Sequence, residues 1–168
     1  MRPPQLKTRR LKRPEHKRPF VILRLWRERA LAGYSETTLL KKLGIKEGAR
    51  VALVNAPQDF PQELGQLPKG AEFVSASHKK LDLIFIFVES RAQLVKRLAR
   101  LRPKISQSGM IWVAWPKKSS GVETDLSFDA VQEAGLAVGI VDTKICAIND
   151  VWSGLKFVIR ITDRTIES

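Results

Sequence analysis

Apolar positions along the chain recur at two spacings, and the switches between them divide the sequence into alternating helices and strands. Residues 36–43 place Leu39, Leu40 and Leu43 on one helical face, with Ser35 as N-cap, Glu36 in the first turn and Gly44 at the end. Residues 50–56, RVALVNA, form an apolar run of strand length. Both faces of that strand are apolar, so helices are expected to cover it on both sides. Pro57 stops the run, and a weak helix over 58–67 and a short strand over 71–75 follow. The segment LDLIFIFVE, residues 81–89, carries the strongest β signal, with branched and aromatic side chains throughout.

Ser90 then caps a helix in which Leu94, Leu98, Leu101 and Ile105 make an apolar stripe against a basic remainder. Pro103 sets its end near Arg102, because proline disfavours helical geometry in the residue before it. Gly109 closes a turn, and residues 110–115, MIWVAW, return to the sheet. Asp125 or Ser127 caps a helix over 128–134 that ends at Gly135. The last two strands, 137–149 and 155–162, are joined by NDVWSG, a loop short enough for an antiparallel hairpin and too short for a crossover.

The pattern therefore predicts an α/β fold: a Rossmann-like three-layer sandwich with a mostly parallel sheet and a C-terminal antiparallel hairpin. This order of elements resembles the architecture of S-adenosylmethionine-dependent methyltransferases. Two regions follow, a basic N-terminal arm over 1–32 and a single α/β domain over 33–168. Within the arm, residues 20–31 have helical spacing, and Trp26 there is read either as docked on the body or as stacked on a nucleic-acid base.

Charge sharpens that division. The chain of 168 residues has 30 Lys and Arg against 17 Asp and Glu, a net charge of +13. Eleven basic and two acidic residues fall in the first 31 positions, a net of +9, which leaves the body at +4. Arg9, Arg10, Lys12, Arg13, Lys17 and Arg18 are thus candidates for binding RNA or DNA by counterion release, the alternative being a solvated extension. Cys146 is the only cysteine, so no intrachain disulfide forms, and His16 and His78 are too few and too far apart to suggest a metal site. No stretch reaches the roughly 20 apolar residues a membrane span needs, and a cytoplasmic address is expected.

Candidate chemistry gathers at predicted strand ends. The first strand–helix turn, Val54-Asn55-Ala56-Pro57-Gln58, lacks a glycine-rich fingerprint, and Pro57 removes an N–H donor, so no cofactor is expected. After the central strand, Lys117, Lys118, Ser119 and Ser120 offer two ammonium groups and two hydroxyls to an anion, or else form a solvated loop. If the sheet closes as predicted, Lys156 approaches that loop, with Trp115 and Trp152 as walls and Asn55 nearby. Trp152 is read alternatively as a hairpin anchor, with Lys156 on the wet face. No Ser–His–Asp constellation is visible, and Cys146 reads as a small apolar side chain.

Tyr34-Ser35, Lys42-Leu43-Gly44-Ile45-Lys46, Val54-Asn55-Ala56-Pro57, Trp112-Val113-Ala114-Trp115-Pro116-Lys117-Lys118, Thr124-Asp125-Leu126 and Trp152-Ser153-Gly154-Leu155-Lys156-Phe157 resemble a bacterial family known as domain of unknown function 3052. Thr38 stands where that pattern has proline. The resemblance runs from about Tyr34 to Arg160 and implies no reaction, cofactor or partner. The leading expectation is a non-catalytic binding or regulatory module for an anionic small molecule or partner. One alternative is a nucleic-acid- or ribosome-associated protein acting through the basic arm; another is a diverged Rossmann-like transferase with Asn55 near its reacting group.

Overall fold

A computed structural model describes residues 38–166, which form a six-stranded sheet with helices on both faces. The elements are α1 (Leu39–Leu43), β1 (Arg50–Val54), α2 (Phe60–Leu64), β2 (Glu72–Phe73), β3 (Leu81–Phe87), α3 (Arg91–Leu101), β4 (Ile105–Pro116), α4 (Phe128–Ala137), β5 (Ile140–Ala147) and β6 (Trp152–Ile159). The strand order is β2-β1-β3-β4-β6-β5. β1, β2, β3 and β4 pair in parallel, whereas β6 runs antiparallel to both β4 and β5. The expected Rossmann-like architecture and its closing hairpin are both present.

Alternation along the strands sends successive side chains to opposite layers. Ile84, Ile86, Ile111 and Val113 face α3 and α4, where Leu94, Leu98, Leu101 and Val131 meet them. Leu83, Phe85, Phe87 and Trp112 face the other way, onto Leu43, Phe60 and Leu64 of α1 and α2. Each fully buried leucine or phenylalanine contributes about 2 kcal/mol by leaving water. Trp112 also ties α1 to the sheet, its indole Nε1–H donating to the Leu43 carbonyl at 2.8 Å. That carbonyl belongs to a helix's last turn, where no intrahelical donor is available.

Several predicted boundaries move, each for a local reason. β1 ends at Val54 because Asn55 turns the chain with φ 57°. The helix expected over 58–67 shrinks to Phe60–Leu64, closed by Gly65 at φ 77°, and the strand expected over 71–75 is two residues long. Gly109 closes no turn: β4 already begins at Ile105, and Gly109 lies within it beside a register irregularity. A Cβ at Gly109 would come within 2.7 Å of the Leu81 carbonyl oxygen. Ser127, not Asp125, caps α4 by accepting from Ala130 N–H at 3.2 Å. The helix runs through Gly135, where the absence of a Cβ admits the Phe157 ring.

The closing hairpin lies at one edge of the sheet, with β6 against β4 and β5 outermost, and β5 is the wetter of the two strands. The Ser35 cap, the helix over 20–31 with Trp26, the basic arm with its six candidate residues and the boundary after residue 32 lie outside the described residues.

Candidate functional site

In an open α/β sheet, ligands bind outside the carboxyl ends of the strands, where the strand order reverses. Here β1 is followed by β2 on one side and β3 on the other, so the reversal lies between β1 and β3. Asn55 stands at that point. Its left-handed backbone turns the chain, and its side-chain Nδ2 donates to the Phe87 carbonyl at 3.2 Å, latching the ends of the two strands together. Asparagine tolerates this conformation better than most residues because its short polar side chain can bond locally.

Beyond Phe87, the next turn is fixed by its own hydrogen bonds. The Glu89 N–H donates to Gln93 Oε1 at 3.2 Å, and the Glu89 carbonyl accepts from the Thr124 hydroxyl at 2.5 Å. Arg91 N–H donates to Asp125 Oδ1 at 2.8 Å, while Ser90 accepts from Gln93 N–H at 3.3 Å. The segment after β4 is thereby held against the start of α3, and Glu89 is exposed at the rim. Sequence reasoning passed over Glu89 as the last residue of a strand; the signal available was a carboxylate directly before the helix cap Ser90.

Lys117 follows β4 and is half-buried, its N–H donating to the Val151 carbonyl at 2.7 Å. Burial pushes its ammonium pKa down, and the Asp150 carboxylate partly offsets this. Lys118 and Ser119 are exposed in a short 3-10 turn. Ser120 is committed within the loop, donating to the Lys117 carbonyl at 2.6 Å and accepting from Val122 N–H at 3.2 Å. Its hydroxyl builds the turn and has no proton left to offer a guest. Asn149, which sequence reasoning passed over as a site residue although it opens the hairpin loop, accepts from Val151 and Trp152 N–H at 2.9 Å and reaches Glu63 with its amide at 3.0 Å.

The expected single pocket does not form, for two geometric reasons. Trp115 and Trp152 lie on opposite faces of the sheet: Trp115 packs in the layer with α3 and α4, whereas Trp152 packs edge-on to Phe87 at 5.1 Å in the other layer. They do not wall one cavity. Lys156, in turn, pairs with Trp112 in the ladder, four positions from the Trp152–Pro116 pair that marks the rim. At about 3.3 Å per residue, that sets it roughly 13 Å below. Its neighbours are Gly44, Lys46 and Lys144, and burial first, then those two lysines, push its pKa down. Asn55, Lys117, Lys118, Ser119 and Trp152 thus belong to the carboxyl rim, and Lys156 does not.

Cys146 is half-buried, and burial pushes its thiol pKa up against the weaker opposing pull of Lys144 and Lys42. His78 is exposed, its Nδ1 against the Ser75 carbonyl at 3.0 Å. Among the described residues no group of three or more His, Cys, Asp or Glu could hold a metal ion. Among the same residues no helix is long and apolar enough to cross a membrane.

No family model matches the chain, so family 3052 has no match behind it, and no curated protein matches either. Solved structures do. A SAM-dependent methyltransferase from Aquifex aeolicus aligns with a TM-score of 0.55 at 16% identity, over 73% of this chain and 88% of its own. Aeropyrum pernix fibrillarin with natively bound S-adenosyl-L-methionine aligns at 0.52 and 11%, over 77% and 72%. Precorrin-6y C5,15-methyltransferase from Geobacter metallireducens GS-15 aligns at 0.52 and 9%, over 73% and 86%. These likenesses correct the leading expectation of a non-catalytic anion-binding module: the solved structures that share the fold are methyltransferases by their own descriptions.

The residues present do not fit S-adenosylmethionine in the usual Rossmann pose. The β1–α2 turn has no glycine, Pro57 has no N–H, and the Asn55 amide is engaged with Phe87. The Phe60 N–H is taken by the Pro57 carbonyl at 3.0 Å. Some twenty residues beyond such a turn a carboxylate ordinarily holds a ribose, but here Val74, Ser75, Ala76 and Ser77 follow β2. The chain has the Rossmann-like methyltransferase fold with a different lining at its switch point.

Proposed function

We propose that this chain is a diverged Rossmann-like transferase whose substrate lies along the carboxyl rim from Asn55 through Glu89 to Lys117. The observation that carries the reading is the Asn55–Phe87 latch, which closes the usual cofactor turn and fixes a polar amide at the reversal of the sheet. Glu89 is the one carboxylate directly following β3 and supplies an acceptor for a nucleophile's proton. Lys117, its charge disfavoured by burial, is suited to neutralise an anionic group on the substrate. Lys117 and Asn55 are two strands apart and three residues apart in level, about 14 Å, a span that suits an extended substrate of metabolite size. Resemblance to family 3052 and a cytoplasmic site of action belong to the same reading.

The test is native mass spectrometry of the freshly purified full chain, followed by thermal shift with S-adenosylmethionine, S-adenosylhomocysteine, nucleoside phosphates and acyl-CoA. At least one compound is expected to raise Tm, with the rise lost in Asn55→Gly and in Lys117→Gln. Asn55→Gly keeps the left-handed turn while deleting the amide. Equal shifts in wild type and both variants, or no shift with any compound and no retained ligand, would overturn the reading.

A further inference from the structure

A second concentration of charge lies below the rim, where the end of α1 meets β5 and β6. Lys144 and Lys156 are directly paired across the antiparallel ladder. Lys144 Nζ donates to the Lys42 carbonyl at 3.0 Å, and Lys156 Nζ lies 3.9 Å from where a Cβ on Gly44 would stand. Lys46 follows two residues after Gly44, exposed and close enough to depress the Lys156 ammonium. Like charges directly opposite one another in a ladder oppose folding. Lys144 has an ordinary explanation, because a lysine on an edge strand discourages pairing with other chains. That explanation fails for Lys156, which sits on the inner strand β6, and for Lys46, which is on no strand.

We propose that Lys46, Lys144 and Lys156 form a surface that seats the phosphate backbone of a nucleic-acid strand. Side chains at a directly paired ladder position stand about 5 Å apart at Cβ. Ammonium groups on flexible four-carbon stems that start this close can reach neighbouring phosphates of one strand. The sequence favours an extended polyanion over a single phosphate ester, because the 31 residues that open the chain carry a further net +9. This surface is independent of the rim, and its test does not depend on any transfer reaction.

The test is fluorescence anisotropy of the full chain with a labelled single-stranded RNA and the matching DNA, titrated at several NaCl concentrations. The variant K46Q/K144Q/K156Q is compared with K96Q/R97Q/R100Q, which removes the same charge from α3. With each phosphate contact worth about 0.7 in the slope of log affinity against log salt, the first variant is expected to lose about 2 in slope and at least about tenfold in affinity. The α3 variant is expected to stay within about threefold of wild type, and Lys156→Arg, which keeps the charge, to bind like wild type. Circular dichroism and Tm establish that each variant is folded. An unchanged slope in folded K46Q/K144Q/K156Q, an equal loss in the α3 variant, or inorganic tripolyphosphate displacing RNA at equal charge concentration would each overturn the proposal.

Discussion

Lys156 has a measurable consequence at the scale of a single side chain. Its folded-state pKa is depressed, first by burial and then by Lys144 and Lys46, from the usual 10.5. In the window between the depressed value and 10.5, the unfolded chain holds more protons than the folded one, so stability rises with pH there. Below that window the full cost of the charge is present. Chemical denaturation of wild type is therefore expected to show a gain in stability as pH approaches 10.5 from below, and Lys156→Met is expected to show a smaller gain and greater stability at pH 7. A variant less stable at pH 7 with the same pH profile would contradict this account. Of the individual residues, Asn55 and Lys117 were legible as strand-end polar groups. Ser120 was not, because whether a hydroxyl faces a guest or its own loop depends on backbone geometry that Lys-Lys-Ser-Ser does not encode.

Among elements, α4 shows how packing overrides a sequence signal. Gly135 reads as a helix stop, yet the helix continues to Ala137, and the turn falls instead at Gly139 with φ 79°. The reason lies on β6: a Cβ on Gly135 would overlap the Phe157 ring, reaching 2.6 Å from its Cζ. Gly135→Ala is accordingly expected to cost about 1–3 kcal/mol despite alanine's better helix propensity. Urea unfolding measures it, and a stabilised variant would show that the ring moves aside freely. The same lesson explains Gly109, whose bulge depends on the Leu81 carbonyl some thirty residues away. α3, by contrast, was readable nearly to its ends, since Ser90, the leucine stripe and Pro103 are all local signals.

For the whole molecule, the sheet order sorts the strands by protection. β3 and β4 lie inside with helices on both faces, β2 has two residues, and β5 has a neighbour on one side only. Amide hydrogen exchange is expected to be slowest over Leu83–Phe87 and Ile111–Trp115 and faster by orders of magnitude over β5 and β2. Equal protection of β5 and β3 would mean that the edge is covered. The layer architecture was legible because apolar runs on 50–56, 81–89 and 110–115 demand cover on two faces. The site was less so, because sequence places residues on strands without fixing which face or depth each occupies: Trp115 lies on the face opposite Trp152, and Lys156 lies well below the rim.

The insertion of β6 between β4 and β5 also constrains the order in which the chain can assemble. β5 emerges from synthesis before the strand that joins it to the sheet, so it waits unpaired until Trp152–Ile159 arrives. Until then β4, the longest strand, keeps an open flank with Trp112 and Val113 on it. A ribosomal pause or truncation before Trp152 would therefore leave the β4 flank unpaired, a ready template for strand addition by another chain.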